Sequence, residues 1–499
     1  MEQRADNSTE PPRKLPLDSA VCVPLRCRDD ISLGMPENRT VSFAIEDVGT
    51  AGTDTQSVLG EQQCLENEHT DDEGRSVAAR RWANSSPGGD TKYKRSDGYQ
   101  FYMSARTAVV LAAGEGTRLR PLTRNRPKPM LPAANKPILE HVLDTLVEAG
   151  VEKLVIVIGY RRDRVQEYFG PTYRGRPIEY VTQEKQLGSA HALLQAQRAV
   201  DGSMLVVNGD RLIDSDSVAR VIDTFERSDV RSVMAVIERP DAGRYGVVTL
   251  EGRNVQAITE KPDTDEYRLI NAGIYAFDES IFRSIEATPR RDGELALPDT
   301  IDQLIGHTSV RGVHIDGPWV DATYPWDLLD VAAEVLERGR VHQQRHREGV
   351  WIDEDARVHD NATMRPPVAI GPDCEIGPGS VIGPTVAIAR NGTVGSNVTI
   401  ERAVVDSDCR VGHGSILLDT VLGQDVHLGV DVTVPGGPSD VRVGNRVFED
   451  QQLGAVLADR VRTGGAVSFE PGTLVGPDAE IETGVTTGGR ISEGSEVVR

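Results

Sequence analysis

The chain has 499 residues, with 77 acidic against 55 basic side chains and a formal net charge of −22. That balance excludes the basic footprint that nucleic acid and anionic membranes require, and the length allows two or three domains. Five cysteines (Cys22, Cys27, Cys64, Cys374 and Cys409) form no Cys-x-x-Cys pair, and no run is long and apolar enough to span a bilayer. A disulfide framework, a zinc site and a membrane anchor are therefore not expected, and a soluble cytoplasmic protein is.

Residues 1–102 are rich in Ser, Thr, Asp, Glu, Gly and Pro and show almost no periodicity. They read as disordered or as an extension from a wrongly assigned start, with a regulatory arm as the alternative. From residue 103 to about 340, strands and helices alternate. Thr107 to Ala112 is an apolar run that predicts a buried parallel strand, ending in a turn with Gly114 and Gly116. Glycines there let backbone N–H groups face a phosphate without an intervening Cβ. Arg118 and Lys128 add positive charge beside the turn, in a chain with only 8 Lys against 47 Arg. This composition is of the halophilic kind. Leu119 stands where a dinucleotide fingerprint needs glycine, and no Gly-Lys-Ser/Thr is present for a Walker loop. Pro121, Pro127 and Pro129 forbid the helix that both motifs open, so the loop is expected to run extended across the strand ends.

Pro137 to Ala149 carries one helical stripe, Leu154 to Ile158 a strand, Asp163 to Phe169 a short helix, Ser189 to Val200 another helix, and Met204 to Asn208 another strand. The alternation predicts an α/β fold with a Rossmann-like, mostly parallel sheet covered on both faces. Ligands would bind at the carboxyl ends of its strands, where Gly114, Asp210 and the Gly188 loop converge. From about 350 to 499 an aliphatic residue falls every sixth position, from Ile352 through Ile400, then in shifted frame at Val405, Val411, Leu417, Leu422, Leu428 and Val434, and again at Phe469, Val475 and Ile481. A period of six beside glycines predicts a parallel β-helix.

Leu111-Ala-Ala-Gly-Glu-Gly-Thr-Arg118 with Arg126-Pro-Lys-Pro-Met-Leu-Pro132 resembles the signature of the sugar-1-phosphate nucleotidylyltransferases. The resemblance implies a reaction between a nucleoside triphosphate and a sugar-1-phosphate, yielding a nucleotide sugar and pyrophosphate. It also implies nucleotide contacts from Leu111, Ala112, Ala113, Gly114, Gly116 and Thr117, and catalytic roles for Arg118 and Lys128. Asp210, in Leu205-Val-Val-Asn-Gly-Asp210, and Asp321, in Trp319-Val-Asp-Ala-Thr-Tyr-Pro-Trp-Asp327, match the family's metal carboxylates, and two carboxylates beside triphosphate oxygens suit Mg²⁺. Tyr180-Val-Thr-Gln-Glu-Lys-Gln-Leu-Gly-Ser-Ala-His191 resembles the base-reading loop. Gln183 there can donate to and accept from the imide edge of uracil or thymine, with Gly188 and Ser189 beside it. UTP and dTTP stay equally open, and glucose-1-phosphate is the simplest sugar substrate. Glu260-Lys-Pro262 and Asn271-Ala-Gly-Ile-Tyr275 resemble the sugar-side motifs. They imply phosphate binding by catalytic Lys261 and sugar binding by Glu260 and Asn271, with Tyr245 and Gly246 lining the pocket.

The C-terminal part is similar to left-handed hexapeptide β-helices, which implies a homotrimer. His413, in Arg410-Val-Gly-His-Gly-Ser415, aligns with the catalytic histidine of bifunctional relatives that acetylate glucosamine-1-phosphate with acetyl-CoA. Two departures weigh against that activity: Ile416 replaces an expected tyrosine, and Pro435-Gly-Gly-Pro438 replaces an Asn-rich sugar loop. A non-catalytic scaffold homologue is the alternative of another class. It is disfavoured because Arg118, Lys128, Asp210, Asp321 and Lys261 all stand in place.

Overall fold

Apolar strands that alternate with amphipathic helices bury both faces of one sheet, and this arrangement organises the first half of the molecule. The computed structural model describes residues 69–70, 76–77, 107–260 and 268–499. In the N-terminal unit, residues 1–97, His69–Thr70 pair antiparallel with Ser76–Val77. The rest of the segment read as an extension lies outside the described residues. In the second unit, residues 98–499, the longer strands of the α/β sheet are Thr107–Leu111 (β1), Lys153–Ile158 (β2), Arg176–Thr182 (β3), Met204–Asn208 (β4), Ser232–Glu238 (β5), Gly246–Glu251 (β6), Asn254–Glu260 (β7), Leu269–Phe277 (β8) and Val310–His314 (β9). The helices are Ile138–Glu148 (α1), Arg162–Phe169 (α2), Ser189–Gln195 (α3), Ser215–Glu226 (α4), Ser280–Ala287 (α5), Leu297–Ile305 (α6) and Asp327–Glu337 (α7).

β1 lies between β2 and β4, parallel to both, and β3 extends the parallel block beyond β2. β8 runs antiparallel to β4 and β5 and joins the block to the remaining strands. Alternate residues of β1 serve opposite layers, as the pleat requires. Ala108 and Val110 pack with Leu139 and Val142 of α1, whereas Val109 packs with Leu193 of α3. The helix expected over Ser189 to Val200 is shorter: α3 ends at Gln195 and tightens into a 3₁₀ turn, Ala196–Arg198, a common way to finish a helix.

From Val350 onward the strands stack as coils. Val350 pairs with Val368 and Val368 with Val386, eighteen residues per coil. Val386 then pairs with Ala403 and Ala403 with Thr420, seventeen per coil. The frame shift in the sequence is thus one residue lost from each of two successive coils. The expected interior column is buried from Met364 to Ile481, and only Ile352 and Val358, in the first coil, are partly buried. Asn391, Asp408 and Asp425 turn successive corners with φ of 55°, 67° and 58°, a conformation that Asn and Asp tolerate better than most residues. The fold is an α/β domain with a Rossmann-like, mostly parallel sheet, followed by a parallel β-helix consistent with the left-handed kind.

Two features of this half were not read from the sequence. An antiparallel hairpin, Pro438–Val443 with Arg446–Gln452, leaves the stack between the coils that begin at Thr420 and Ala455. In addition, an outward column of small apolar residues (Ala369, Ala387, Val404, Val421, Val456) is fully buried against Leu328, Val331, Ala332 and Val335 of α7. The β-helix therefore shares a core with the first half of the chain.

Candidate active site

The turn after β1 is held by its own chemistry. Gly116 has φ 68°, and a Cβ there would lie 2.7 Å from Cβ of Lys128, so only glycine lets the two segments meet. Thr123 Oγ1 donates to the Gly116 carbonyl at 2.8 Å. Beyond it the chain is not extended as expected. It forms three 3₁₀ turns, Thr117–Leu119, Leu122–Arg124 and Lys128–Met130. Proline presets a φ that suits the first positions of such turns, so the prolines shape the loop without straightening it. Gly114 is exposed and a Cβ there would meet nothing within 4 Å, which leaves its backbone open to a ligand.

Lys128 Nζ lies 2.7 Å from Asp210 Oδ2 and 2.7 Å from Asp321 Oδ1. Asp210 follows β4, and Asp321 belongs to a short strand, Val320–Asp321, that pairs with Arg211–Leu212. The sheet thus brings together three residues that are far apart in sequence. Burial opposes charge on Lys128, yet the two carboxylates outweigh it and raise its pKa above the usual value. Burial likewise pushes the Asp321 carboxyl up, but Lys128 and Arg211 overcome this and hold it at about 2. Thr323 Oγ1 donates to the second oxygen of Asp321 at 3.0 Å. Two carboxylate oxygens converging on one cationic nitrogen form a hard, anionic donor set, which fits a small divalent cation such as Mg²⁺.

Leu111, Ala112, Gly114, Gly116, Thr117, Arg118 and Lys128 line a cleft of about 390 Å³ together with Asp210 and Asp321. Ala113 is buried beside it, and its carbonyl accepts from Gln186 Nε2 at 3.1 Å. A larger cleft of about 1080 Å³ shares Arg118 and Asp321 and contains Ser189, Tyr245, Gly246 and Asn271. Gln183 is buried at the edge of β3. Its Nε2 donates to the Gly188 carbonyl at 3.1 Å and to His191 Nδ1 at 2.8 Å. Both amide hydrogens are therefore committed, and Gln183 presents only an acceptor. Gly188 has φ 101°, and a Cβ there would come within 2.5 Å of the Leu295 carbonyl, so close packing already demands glycine there. Ser189 Oγ accepts from the Leu297 N–H at 2.9 Å.

Among the residues read as sugar-binding, Asn271 Nδ2 donates to the Tyr275 hydroxyl at 2.7 Å, and Asn271 Oδ1 accepts from the Gly273 N–H at 3.0 Å. The β6–β7 register sets Glu260 opposite Gly246, the two residues read as sugar-binding from sequence. The side chain of Glu260 and the whole of Lys261 lie outside the described residues.

The nucleotidyl transferase family matches residues 107–338, and the GMPPB C-terminal domain matches residues 346–436. The bifunctional protein GlmU of Methanococcus maripaludis is 33% identical over 391 residues, covering 75% of this chain and 92% of that protein. The chain belongs to the sugar-1-phosphate nucleotidyltransferase family. A second member, the UTP–glucose-1-phosphate uridylyltransferase AglF of Haloferax volcanii, is 39% identical over 237 residues, 46% of this chain and 96% of its own. A third, a bifunctional sugar-1-phosphate nucleotidylyltransferase/acetyltransferase of Sulfurisphaera tokodaii, is 29% identical over 395 residues, 76% of this chain and 96% of its own.

In this member of the family the sequence missed two residues of the site. Arg211 is half-buried beside the two carboxylates, its guanidinium 4.9 Å from the Trp319 ring centroid; its adjacency to Asp210 was the available signal. His191, which accepts from Gln183, stood unweighed at the end of the base-loop motif. His413 lies far along the chain, exposed on the β-helix, with Nδ1 accepting from the Ser396 N–H at 2.7 Å. No helix among the described residues is long and apolar enough to cross a membrane.

Proposed function

We propose that the chain transfers a nucleotidyl group from UTP or dTTP to a sugar-1-phosphate, with glucose-1-phosphate the first candidate, releasing pyrophosphate. The observation that carries this reading is Lys128 held between Asp210 and Asp321 at the open, glycine-lined end of β1. The open backbone around Gly114 and the Arg118 side chain would bind the triphosphate. Lys128 would balance negative charge on the phosphate under attack, and Lys261 would hold the incoming sugar phosphate. Asp210 and Asp321 would hold Mg²⁺, which supplies charge neutralisation at the phosphate when bound. Gln183 would accept from the base imide N–H, and Gly246, Glu260 and Asn271 would face the sugar. No general base is required, because a phosphate monoester dianion is already nucleophilic, and the residues act by positioning and electrostatics.

The test is pyrophosphate release across a panel of nucleoside triphosphates and sugar phosphates at high salt. Release that needs a sugar phosphate, a pyrimidine nucleotide and Mg²⁺ is the expected result. No release from any pair would refute the proposal. Acetyl transfer from acetyl-CoA is not expected, since Ile416 offers His413 no hydroxyl and Pro435-Gly-Gly-Pro438 leads into the hairpin. Thiol release that depends on an amino sugar phosphate and vanishes in His413→Ala would overturn this. A homotrimer assembled through the β-helix is part of the same proposal, and light scattering reads it directly.

A further inference from the structure

The hairpin that leaves the β-helix carries none of the residues assigned to the nucleotidyl transfer. It is fixed at both ends. At its base Arg402 donates to the Gln452 carbonyl at 3.0 Å and pairs with Asp330 of α7 and with Asp419, each at 2.9 Å. Further out, Phe448 packs on Tyr324 and Trp326, with ring centroids 4.4 and 5.3 Å away. Both aromatic partners lie within five residues of Asp321. Arg446 lies over the Phe448 ring, Cζ 4.8 Å from its centroid, and makes no ion pair among the described residues. Arg446, Phe448 and Gln451 form one wall of the 1080 Å³ cleft that also contains Arg118, Gly246 and Asn271.

We propose that Arg446 binds the sugar ring of the sugar-1-phosphate, so that the β-helix half of the chain sets which sugar phosphate the α/β half accepts. The inference rests on the nucleotidyl-transfer reading above. Three observations carry it. The glycine turn and the metal carboxylates lie around the smaller cleft, so the triphosphate has its own place. The hairpin wall lines the same larger cleft as Gly246 and Asn271. Finally, a guanidinium lying on an aromatic face keeps its rim of N–H donors available, and such a rim is suited to oxygen-rich ligands. Closing the cleft would need only apolar side chains, whereas this wall ends in a cation that makes no ion pair among the described residues and in an amide, Gln451.

The experiment uses the full chain and steady-state pyrophosphate release, varying glucose-1-phosphate at saturating UTP and then the reverse. Arg446→Ala should raise KM for glucose-1-phosphate about tenfold, the equivalent of about 1.4 kcal/mol. It should leave kcat and the KM for UTP within about twofold of wild type, as loss of uniform substrate binding does. Arg446→Lys should fall between the two, because it keeps the charge and loses the fork. Glu449→Gln, exposed on the same hairpin, should match wild type. An unchanged sugar-phosphate KM in active Arg446→Ala overturns this inference alone, as does a rise confined to UTP. Wild-type chain that releases no pyrophosphate from any pair of nucleoside triphosphate and sugar phosphate overturns both this inference and the function on which it rests.

Discussion

Replacing Arg126 by leucine should unseat the loop that carries Lys128. The Arg126 guanidinium is only 10% exposed and pairs with Asp406 and Asp459 of the β-helix, whose side chains are 11% and 4% exposed. Burial opposes its charge, but the two carboxylates more than offset this and keep its pKa well above the usual arginine value. In Arg126→Leu both carboxylates stay buried without a cation. Asp406 keeps the Ser407 N–H at 2.7 Å and Asp459 keeps the Gln424 N–H at 3.0 Å. Breaking a buried pair from one side costs about 3–5 kcal/mol. The retained backbone bonds place this case near the lower figure, roughly a hundredfold in the folding equilibrium. Denaturant unfolding followed by tryptophan fluorescence is the assay, because Trp326 and Trp351 lie in the core shared by the two halves. kcat should fall more than KM rises, since Arg126 stands two residues before Lys128. The triple variant Arg126→Leu, Asp406→Asn, Asp459→Asn should regain much of the stability, because no charge is left buried. A single variant within about 1 kcal/mol of wild type, or a triple variant no more stable than the single one, would refute the reasoning.

Asp210→Asn and Asp321→Asn should each abolish Mg²⁺-dependent turnover, because each removes one of the two carboxylates that converge on Lys128; near-wild-type pyrophosphate release in either would remove the metal assignment. Gly188→Ala should lower stability by about 1–3 kcal/mol and raise the nucleotide KM, since the new Cβ meets the Leu295 carbonyl and displaces the partner of Gln183; an unchanged melting temperature counts against it. Burial, aided by Lys136, lowers the His141 pKa from 6.5 to about 3. The native state thus binds fewer protons than the unfolded one, so this contribution is complete above the unfolded pKa and is lost as pH falls from 6.5 toward 3. The loss amounts to at most about 1.4 kcal/mol per pH unit. His141→Gln should flatten the dependence of unfolding free energy on pH over that range, and equal slopes in wild type and variant would be the contrary result.

The sequence by itself determined whatever repeats locally. The stripe that becomes α1, the apolar run of β1 and the column from Ile370 to Ile481 are periodic because each position faces the same interior at a fixed step. The glycine turn and the residue types of the site were legible through the family resemblance. The shape of the proline-rich loop was not, because proline presets φ equally well in extended chain and in a 3₁₀ turn. Only the tertiary structure decided what meets across distance. Arg126 finds Asp406 and Asp459 at separations of 280 and 333 residues, and no local pattern encodes those pairs. Ala369, Ala387 and Val404 each stand one place before a residue of the interior column, on the outward side of the strand, and they are buried because α7 packs on them. The hairpin at 438–452 falls in the gap of the sixfold column between Val434 and Phe469, where no period marks it, yet the packing of Phe448 on Tyr324 and Trp326 makes it a wall of the candidate active-site cleft. Periodicity records which way a side chain points along its own element, whereas the partner it meets is set by how whole elements pack, and this packing is what joins the two halves around the site.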